Sequence, residues 1–311
     1  MARLLFFLMC VGMLTVCPGA TAQHPILLAS SAAPATGGFT VRKSVDEVHL
    51  QFRVTDRRHQ PVTDLLREQV EVFEGATQVE PLLDFRSESS LPLHVALLLD
   101  ASDSTARQFA AEQQLAAALM RQMIRRPEDR ALVFAFGTSV RQLDAATADA
   151  ASLEAAIAKA SSGGQTALYT AVVRACDELR PLASPGTARR VIILLSDGND
   201  TYSYHTERDA QQAVLNADAV LYSIRMGESY GRSYEALRQL AQLSGGQLFK
   251  HSDRARLTEA FARIDEELRS QYVVAFRPAV HDGRFHRLEV RVNAGRPVTV
   301  AARAGYWAPR N

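Results

Sequence analysis

The sequence predicts a doubly wound α/β domain with a mostly parallel sheet, together with a small antiparallel β unit formed by the two flanks of the chain. Two kinds of pattern lead to this fold class. In the middle of the chain, apolar runs such as residues 95–99 and 191–195 contain no polar position. Towards both ends, apolar and polar residues alternate. Continuous apolar strands are typical of parallel sheets covered by helices, whereas alternation is typical of half-exposed antiparallel strands.

The central part, taken as residues 91–270, alternates apolar runs with segments that have the 3.6-residue period of a helix. This order predicts parallel strands joined by helical crossovers. The predicted strands are residues 95–99, 131–136, 191–195, 219–224 and 247–250. The predicted helices are residues 104–125, a segment around 153–157, 166–179, 206–216, 234–243 and 254–270, the last with Ser252 as its N-cap.

The two flanks, residues 39–90 and 271–311, have β patterns. In the first flank, residues 48–54 alternate strictly, and Val70 and Val72 enclose Glu71. Each flank is too short to form a stable sheet alone, so we expect the two to pair into one unit with the α/β domain inserted between them. The strands predicted in the second flank are residues 272–276, 288–292 and 298–302.

Residues 1–22 have the pattern of a secretory signal. Arg3 is followed by an apolar run over residues 4–16, and Ala20-Thr21-Ala22 supplies small residues for cleavage before residue 23. The run is too short for a membrane span, so we expect no stable span in the mature chain. The protein is therefore predicted to be exported, either to the periplasm or into the medium, with residues 23–38 as a leader.

Lipid attachment at Cys17 is the alternative fate of this segment. It is disfavoured because Val16 is bulky for the position before a lipidated cysteine. Once the signal is removed, Cys176 is the cysteine that remains, so no internal disulfide is expected. Its place in the apolar pattern of a predicted helix favours a buried small hydrophobe over a catalytic thiol.

The composition disfavours two classes of partner. The chain has 47% hydrophobic residues, as an ordinary globular protein does, and a formal net charge of +1. No block of basic residues stands out in the sequence. Nucleic acid and anionic membranes are therefore not expected partners.

Three polar segments fall where ligands bind in open α/β sheets, at the loops beyond the carboxyl ends of the strands. Residues 100–104 read Asp-Ala-Ser-Asp-Ser, residues 163–166 read Gly-Gly-Gln-Thr, and residues 196–198 read Ser-Asp-Gly. They offer carboxylate and hydroxyl oxygens without imidazole or thiolate, which favours Mg²⁺, Mn²⁺ or Ca²⁺ over zinc. Two carboxylates and three hydroxyls leave one coordination position of such an ion free, so a carboxylate from a partner could complete its coordination.

These residues resemble the metal-ion-dependent adhesion site of von Willebrand factor type A domains. Asp100, Ser102 and Ser104 match the Asp-x-Ser-x-Ser motif, and Thr166 and Asp197 match its two remaining parts. The resemblance covers about residues 91–270 and implies the Rossmann-like fold of that family. It also implies that these five residues hold Mg²⁺, or alternatively Mn²⁺ or Ca²⁺, some of them through water. The expected function is metal-dependent binding of a protein that offers an acidic side chain, without catalysis.

The flanks resemble those of a bacterial exported subgroup of this family, in motifs less specific than the metal set. The similar segments are residues 54–56, 61–65, 70–74, 282–286 and 304–306. Three positions depart from the family pattern. Asp103 stands where glycine is common, Thr105 where methionine is frequent, and Thr170 where an acidic residue often follows. Of these, Asp103 adds negative charge near the predicted ion, which bears on the choice of metal.

Each segment also has a simpler interpretation. Asp100 and Ser102 could cap the following helix, Thr166 could cap its own helix, and residues 196–198 could be only a turn. The loop that follows Asp197 carries four polar or aromatic residues that are expected either to surround the site or to be ordinary polar residues of an exposed loop. They are Asp200, Tyr202, Tyr204 and His205.

Two other functions compete with adhesion. In a structural module, the metal would only join the loops. In an enzyme resembling the haloacid-dehalogenase-like phosphatases, Asp100 would be the nucleophile of phosphoryl transfer. That chemistry needs a second aspartate where Ser102 stands, and a lysine near the phosphate, whereas the chain has only Lys43, Lys159 and Lys250.

The connections to the flanks suggest a coupled motion. Type A domains resembling this one can couple their metal site to a shift of the last helix. Here that helix, predicted over residues 254–270, runs almost directly into the strand that begins near residue 271. We therefore expect partner binding at the metal to affect the β unit.

Overall fold

A computed structural model of the protein describes residues 47–87, 91–226, 231–250 and 254–310, with side chains in the last helix described from residue 258 onward. The expected signal peptide and leader, and Ser252 as a helix cap, lie outside the described residues. The strands are β1 Val48–Asp56, β2 Val70–Glu74, β3 Thr77–Gln78, β4 Asp84–Ser87, β5 Leu93–Asp100, β6 Arg130–Phe136, β7 Val140–Gln142, β8 Arg189–Ser196, β9 Ala219–Arg225, β10 Leu248–Lys250, β11 Gln271–Phe276, β12 Phe285–Val292, β13 Val298–Ala302 and β14 Gly305–Trp307. The helices are α1 Phe109–Met123, α2 Ala150–Ala158, α3 Leu168–Leu179, α4 Glu207–Asn216, α5 Arg232–Leu243 and α6 Arg254–Arg269, with short 3-10 turns at Arg67–Gln69 and Arg180–Leu182.

The central sheet has six strands in the order β10-β9-β8-β5-β6-β7. All of its pairings are parallel except that of the edge strand β7 with β6. Every residue of β5 and β8 is buried, as expected for strands covered on both faces. Their register pairs Leu99 with Leu195, so the ends of both strands lie side by side. This register brings the segments after Leu99 and Leu195 to the same sheet edge.

Helices cover the sheet on both faces. One apolar layer holds Leu115, Ile157 and Ile264, from α1, α2 and α6, against the sheet. The other holds Val172, Val214 and Leu240, from α3, α4 and α5. The prediction of a doubly wound, mostly parallel α/β fold is confirmed.

The flanks form two antiparallel sheets of four strands each, in the orders β13-β1-β11-β4 and β14-β12-β2-β3. Each sheet contains strands from both ends of the chain, because β1 pairs with β11 and β13, and β2 pairs with β12. Leu50, Val72 and Val274 belong to one shared apolar core. The predicted antiparallel unit is therefore confirmed, and it consists of two sheets packed together.

Several element boundaries differ from the expectations. Helix α1 begins at Phe109 instead of residue 104, because the Thr105 side chain bonds the carbonyl oxygens of Asp100 and Ser102 and holds a turn there. Helix α3 begins at Leu168 instead of Thr166. The short strands β3, β4, β7 and β14 were not predicted, because two to four residues give too little periodicity to detect.

Within the described part of the chain, none of the helices combines the length and apolar character that crossing a bilayer requires.

Candidate metal centre

Asp100 ends β5 and is fully buried. Its two carboxylate oxygens are held separately. Oδ1 accepts a hydrogen bond from the Ser102 backbone N–H at 3.1 Å, and Oδ2 accepts one from the Ser196 hydroxyl at 2.6 Å. The carboxylate therefore has a defined orientation at the sheet edge.

The segment after Asp100 folds into a tight turn. The Oγ atoms of Ser102 and Ser104 lie 3.0 Å apart, with Ser102 buried and Ser104 exposed. Beneath them, the Thr105 hydroxyl lies 2.7 Å from the Asp100 carbonyl oxygen and 3.0 Å from that of Ser102. Thr105, which departs from the family pattern, thus stabilises the turn that presents both serine hydroxyls.

Backbone hydrogen bonds join this turn to the second loop. The Gly163 N–H donates to the Ala101 carbonyl at 2.6 Å, and the Asp103 N–H donates to the Gly164 carbonyl at 3.0 Å. Gly164 has a φ of +89°, and a Cβ on it would overlap the Thr138 hydroxyl. Glycine is therefore needed at position 164, where the loop passes close to Thr138.

Thr166 is fastened to the loop that follows Asp197. Its N–H donates to the Thr201 hydroxyl at 2.9 Å, and its carbonyl accepts the N–H groups of Thr201 and Tyr202, both at 2.9 Å. Asp197 itself is half-buried, and its Oδ1 accepts the Asn199 N–H at 2.9 Å. The three predicted loops are thus one hydrogen-bonded assembly at one edge of the sheet.

Thr166 does not cap helix α3. The N-cap position of α3 is Ala167, which makes no side-chain cap. Instead, Asp200 Oδ1 accepts the Leu168 N–H at 2.8 Å and the Ser203 hydroxyl at 2.6 Å. Asp200 therefore caps α3 from another loop, which leaves the Thr166 side chain without a capping role.

The electrostatics of the site reflect burial of negative charge. Burial raises the pKa of Asp100 to about 6, and the Asp197 charge adds to this, while hydrogen bonds from Ser102 and Ser196 oppose it. A cation beside Asp100 would favour its ionised form.

The donor set fits a hard divalent ion. It offers two carboxylates and three hydroxyls, and such oxygen ligands suit Mg²⁺, Mn²⁺ and Ca²⁺. Among the residues that the structure describes, no three His, Cys, Asp or Glu side chains gather into a metal-binding group. The ligand set therefore depends on its hydroxyls. The structure brings Asp100, Ser102 and Ser104 together in one turn. Thr166 lies on a loop bonded to that turn, and Asp197 follows Ser196, which bonds Asp100.

Sequence reasoning missed four residues that bear on this site. The Ser196 hydroxyl bonds the Asp100 carboxylate, and the Thr201 hydroxyl bonds the Thr166 backbone. In the sequence, only their position beside the motifs indicated such a role. Thr105 was noted as a departure without a role. Glu112 is a buried acid on α1, and its spacing from Phe109 and Leu115 indicated the apolar face of the helix.

Two aromatic side chains are exposed on the loop after Asp197. Tyr204 is 85% exposed and Tyr202 is 44% exposed. Their ring centroids lie 6.3 Å apart in an edge-on arrangement. The Tyr202 N–H donates to the Thr166 carbonyl, so the two exposed rings lie on a loop that is bonded to the segment carrying Thr166.

Cys176 lies on α3 as a free, buried thiol. Burial raises its pKa, so the nucleophilic thiolate is disfavoured. The structure places it within the apolar layer, as the sequence pattern indicated.

Comparisons with known proteins find similarity to one domain family. The family model for the von Willebrand factor type A domain matches residues 95–199. Comparison with curated proteins finds no matching relative. Among solved structures, proximal thread matrix protein 1 from the mussel byssus, with a zinc-occupied MIDAS motif, is similar at 18% identity and a TM-score of 0.51. The match covers 63% of this chain and 50% of that one.

Two further similar structures come from other organisms. One is a von Willebrand factor type A protein from Catenulispora acidiphila, at 14% identity and a TM-score of 0.47, covering 76% of each chain. The other is the manganese-loaded TRAP protein of Plasmodium vivax, at 13% identity and a TM-score of 0.48, covering 70% of this chain and 95% of that one.

Proposed function

Residues 95–199 belong to a von Willebrand factor type A domain, and from this premise we propose that the protein binds a partner through a divalent ion. Asp100, Ser102, Ser104, Thr166 and Asp197 would hold the ion, some of them through water. When bound, the ion would supply a Lewis-acidic position for an acidic side chain of a protein partner. The ion we propose is Mg²⁺, with Mn²⁺ or Ca²⁺ as alternatives.

The observation that carries this proposal is the joining of three loops, distant in sequence, around a buried aspartate. Asp100 is fully buried at a sheet edge where the segment carrying Ser102 and the loop carrying Thr166 are bonded to each other. A buried carboxylate is costly unless it is paired or coordinates a metal. An ion at this edge would balance its charge.

The same bonds favour a binding role over a purely structural one. The loops hold each other through backbone hydrogen bonds such as that from the Gly163 N–H to the Ala101 carbonyl. An ion is therefore not needed to join them. The exposed Tyr202 and Tyr204 rings also suit a contact surface, since tyrosine is enriched at interfaces.

The site is tested by calorimetric titration with Mg²⁺. We expect Asp100→Ala and Asp197→Ala to abolish binding while the fold survives, because each change removes one of two carboxylates. Thr166→Ala should weaken binding less, since it removes a neutral ligand. Equal Mg²⁺ affinity in the wild type and Asp100→Ala would contradict the assignment.

Adhesion is separated from a structural metal by a second measurement. Pull-down from the native cell envelope, with Mg²⁺ in one arm and EDTA in the other, should retain a partner only in the Mg²⁺ arm. If Mg²⁺ raises the melting temperature but no partner is retained, the ion only stabilises the loops.

We also propose that the chain is exported after removal of residues 1–22. The support is the basic start, the apolar run and the small residues before position 23. Expression in a bacterial host, followed by N-terminal sequencing, should give a chain that begins at Gln23. Recovery of the uncleaved chain from the cytoplasm would contradict export, and a chain that begins at Cys17 would indicate lipid attachment.

A further inference from the structure

The first turn of α1 carries a carboxylic acid on the apolar face of the helix. Glu112 is 2% exposed and lies on the same buried face as Phe109 and Leu115. Among the described residues, neither of its carboxyl oxygens has a hydrogen-bond partner. A buried carboxyl group without hydrogen bonds is costly, so its presence on an otherwise apolar face calls for a physical reason.

The other buried acids among the described residues have hydrogen-bond partners. Asp129, 3% exposed, accepts the backbone N–H groups of Leu93, Arg125 and Arg126. Glu267, 8% exposed, bonds Arg53 and Gln247. Glu112 differs from both of these acids in having no such bond.

The backbone of Glu112 is linked to the turn at the metal centre through a short chain of hydrogen bonds. The Thr105 hydroxyl donates to the Asp100 carbonyl at 2.7 Å. The Gln108 N–H donates to the Thr105 carbonyl at 3.0 Å, and the Glu112 N–H donates to the Gln108 carbonyl at 3.0 Å. The acid thus lies in the first turn of α1, eight residues after the proposed ligand Ser104.

The charges that act on Glu112 are those of the metal centre. Burial raises the pKa of its carboxyl to about 8, and the negative charges of Asp100 and Asp197 contribute to the increase. The carboxyl group of Glu112 therefore lies within the electric field of both proposed carboxylate ligands. A cation between those ligands would act on Glu112 with the opposite sign.

We propose that Glu112 is a charge-balancing residue of the metal centre, which increases the affinity for the divalent ion through its negative charge without ligating the ion. This inference rests on the proposed function, since it requires an ion held by Asp100 and Asp197. Direct ligation is not part of it, because no three acidic side chains gather into a metal-binding group among the described residues. The positive charge of the ion would offset the repulsion that Asp100 and Asp197 exert on the Glu112 carboxylate.

The role predicts two effects of opposite direction in one variant. Without metal, and above about pH 8 where the Glu112 carboxyl is ionised, Glu112→Gln should raise the melting temperature, because it removes a buried negative charge that Asp100 and Asp197 repel. With metal, the same change should weaken Mg²⁺ binding about tenfold, the lower end of the losses seen when a group supporting a metal site is removed. A purely structural residue would change stability without changing the Mg²⁺ affinity.

The experiment measures the Mg²⁺ affinity by calorimetry, and the melting temperature with Mg²⁺ and with EDTA. Glu112→Gln keeps the shape of the side chain, and Glu112→Met is a second uncharged variant of similar length. The matched control is Glu154→Gln on α2, which makes the same charge change at a residue that pairs with Arg121. Both Glu112 variants should bind Mg²⁺ less tightly than the wild type, and the control should bind it equally well.

Three outcomes would overturn the inference. Equal Mg²⁺ affinity in Glu112→Gln and the wild type would remove the charge-balancing role and leave the proposed function intact. Failure of both Glu112 variants to fold would show that the acid supports the fold itself. A wild-type protein that binds no Mg²⁺ would overturn the proposed function as well.

Discussion

The Ser196 hydroxyl is the clearest positioning group at the scale of single residues. It is fully buried, donates to Asp100 Oδ2 at 2.6 Å, and accepts the Gly198 N–H at 3.0 Å. It therefore connects the aspartate at the end of β5 to the turn after β8. Removal of a group that orients a metal ligand in this way typically lowers metal affinity by roughly 10- to 100-fold.

We predict that Ser196→Ala lowers the Mg²⁺ affinity by roughly 10- to 100-fold, because Asp100 loses the bond that orients its carboxylate. The measurement is calorimetric titration with Mg²⁺. The matched control is Ser223→Ala on the neighbouring strand β9, an equally buried serine whose hydroxyl donates to the Leu237 carbonyl at 3.0 Å. The control should lose stability but keep its Mg²⁺ affinity, and an equal loss of affinity in both variants would argue against a specific role.

At the scale of elements, the first turn of α3 is connected to the segment that carries Thr166 through the loop after Asp197. Asp200 caps the helix through the Leu168 N–H, while the neighbouring Thr201 holds the Thr166 backbone. One loop thus fixes both the end of a helix and a proposed ligand. Loss of the cap should consequently also disturb the proposed metal ligands.

We predict that Asp200→Ala destabilises the protein by about 1 kcal/mol, the usual cost of losing a helix cap, and also weakens Mg²⁺ binding. Asp149→Ala is the matched control, since Asp149 caps α2 by accepting the Ala151 N–H at 2.9 Å. Chemical denaturation should show similar losses for both variants. Only Asp200→Ala should change the Mg²⁺ titration, and an unchanged titration would mean that α3 and the metal loop are independent.

At the scale of the whole molecule, α6 connects the α/β domain to the β unit. Glu267 on α6 forms an ion pair with Arg53 on β1, and both side chains are 11% exposed. Arg189 on β8 donates to the Leu268 carbonyl on α6 and, at 2.9 Å, to the Leu91 carbonyl. Only Ser270 separates α6 from β11, which pairs with β1. A shift of α6 would therefore be transmitted to the β unit.

We predict that Mg²⁺ and the captured partner together change the hydrogen-exchange protection of residues 272–292, because α6 is tied to both parts of the molecule. The measurement is hydrogen exchange followed by mass spectrometry. Arg53→Gln, which removes the ion pair with Glu267, should reduce the change. Unchanged protection of residues 272–292 in the wild type would show that the metal centre and the β unit are not coupled.

The fold class can be predicted from the sequence alone, because burial on both faces leaves strands such as residues 191–195 with no polar position. The candidate ligands were recognisable for a related reason. Asp100 and Asp197 follow continuous apolar strands, and the ends of parallel strands meet at one sheet edge. Periodicity and strand ends are local properties of the chain, so they can be read without coordinates.

The side chains that support those ligands can be identified only from the folded coordinates. Ser196, Thr201 and Asp200 act through hydrogen bonds that reach 96, 35 and 32 residues along the chain. Glu112 has the spacing of the apolar face of α1, but its burial without a hydrogen-bond partner became known only from the coordinates. The flanks, too, required coordinates to divide into two sheets, since strand partners depend on register and packing across the chain. Such contacts have no local periodicity, so they emerge only when distant segments come together.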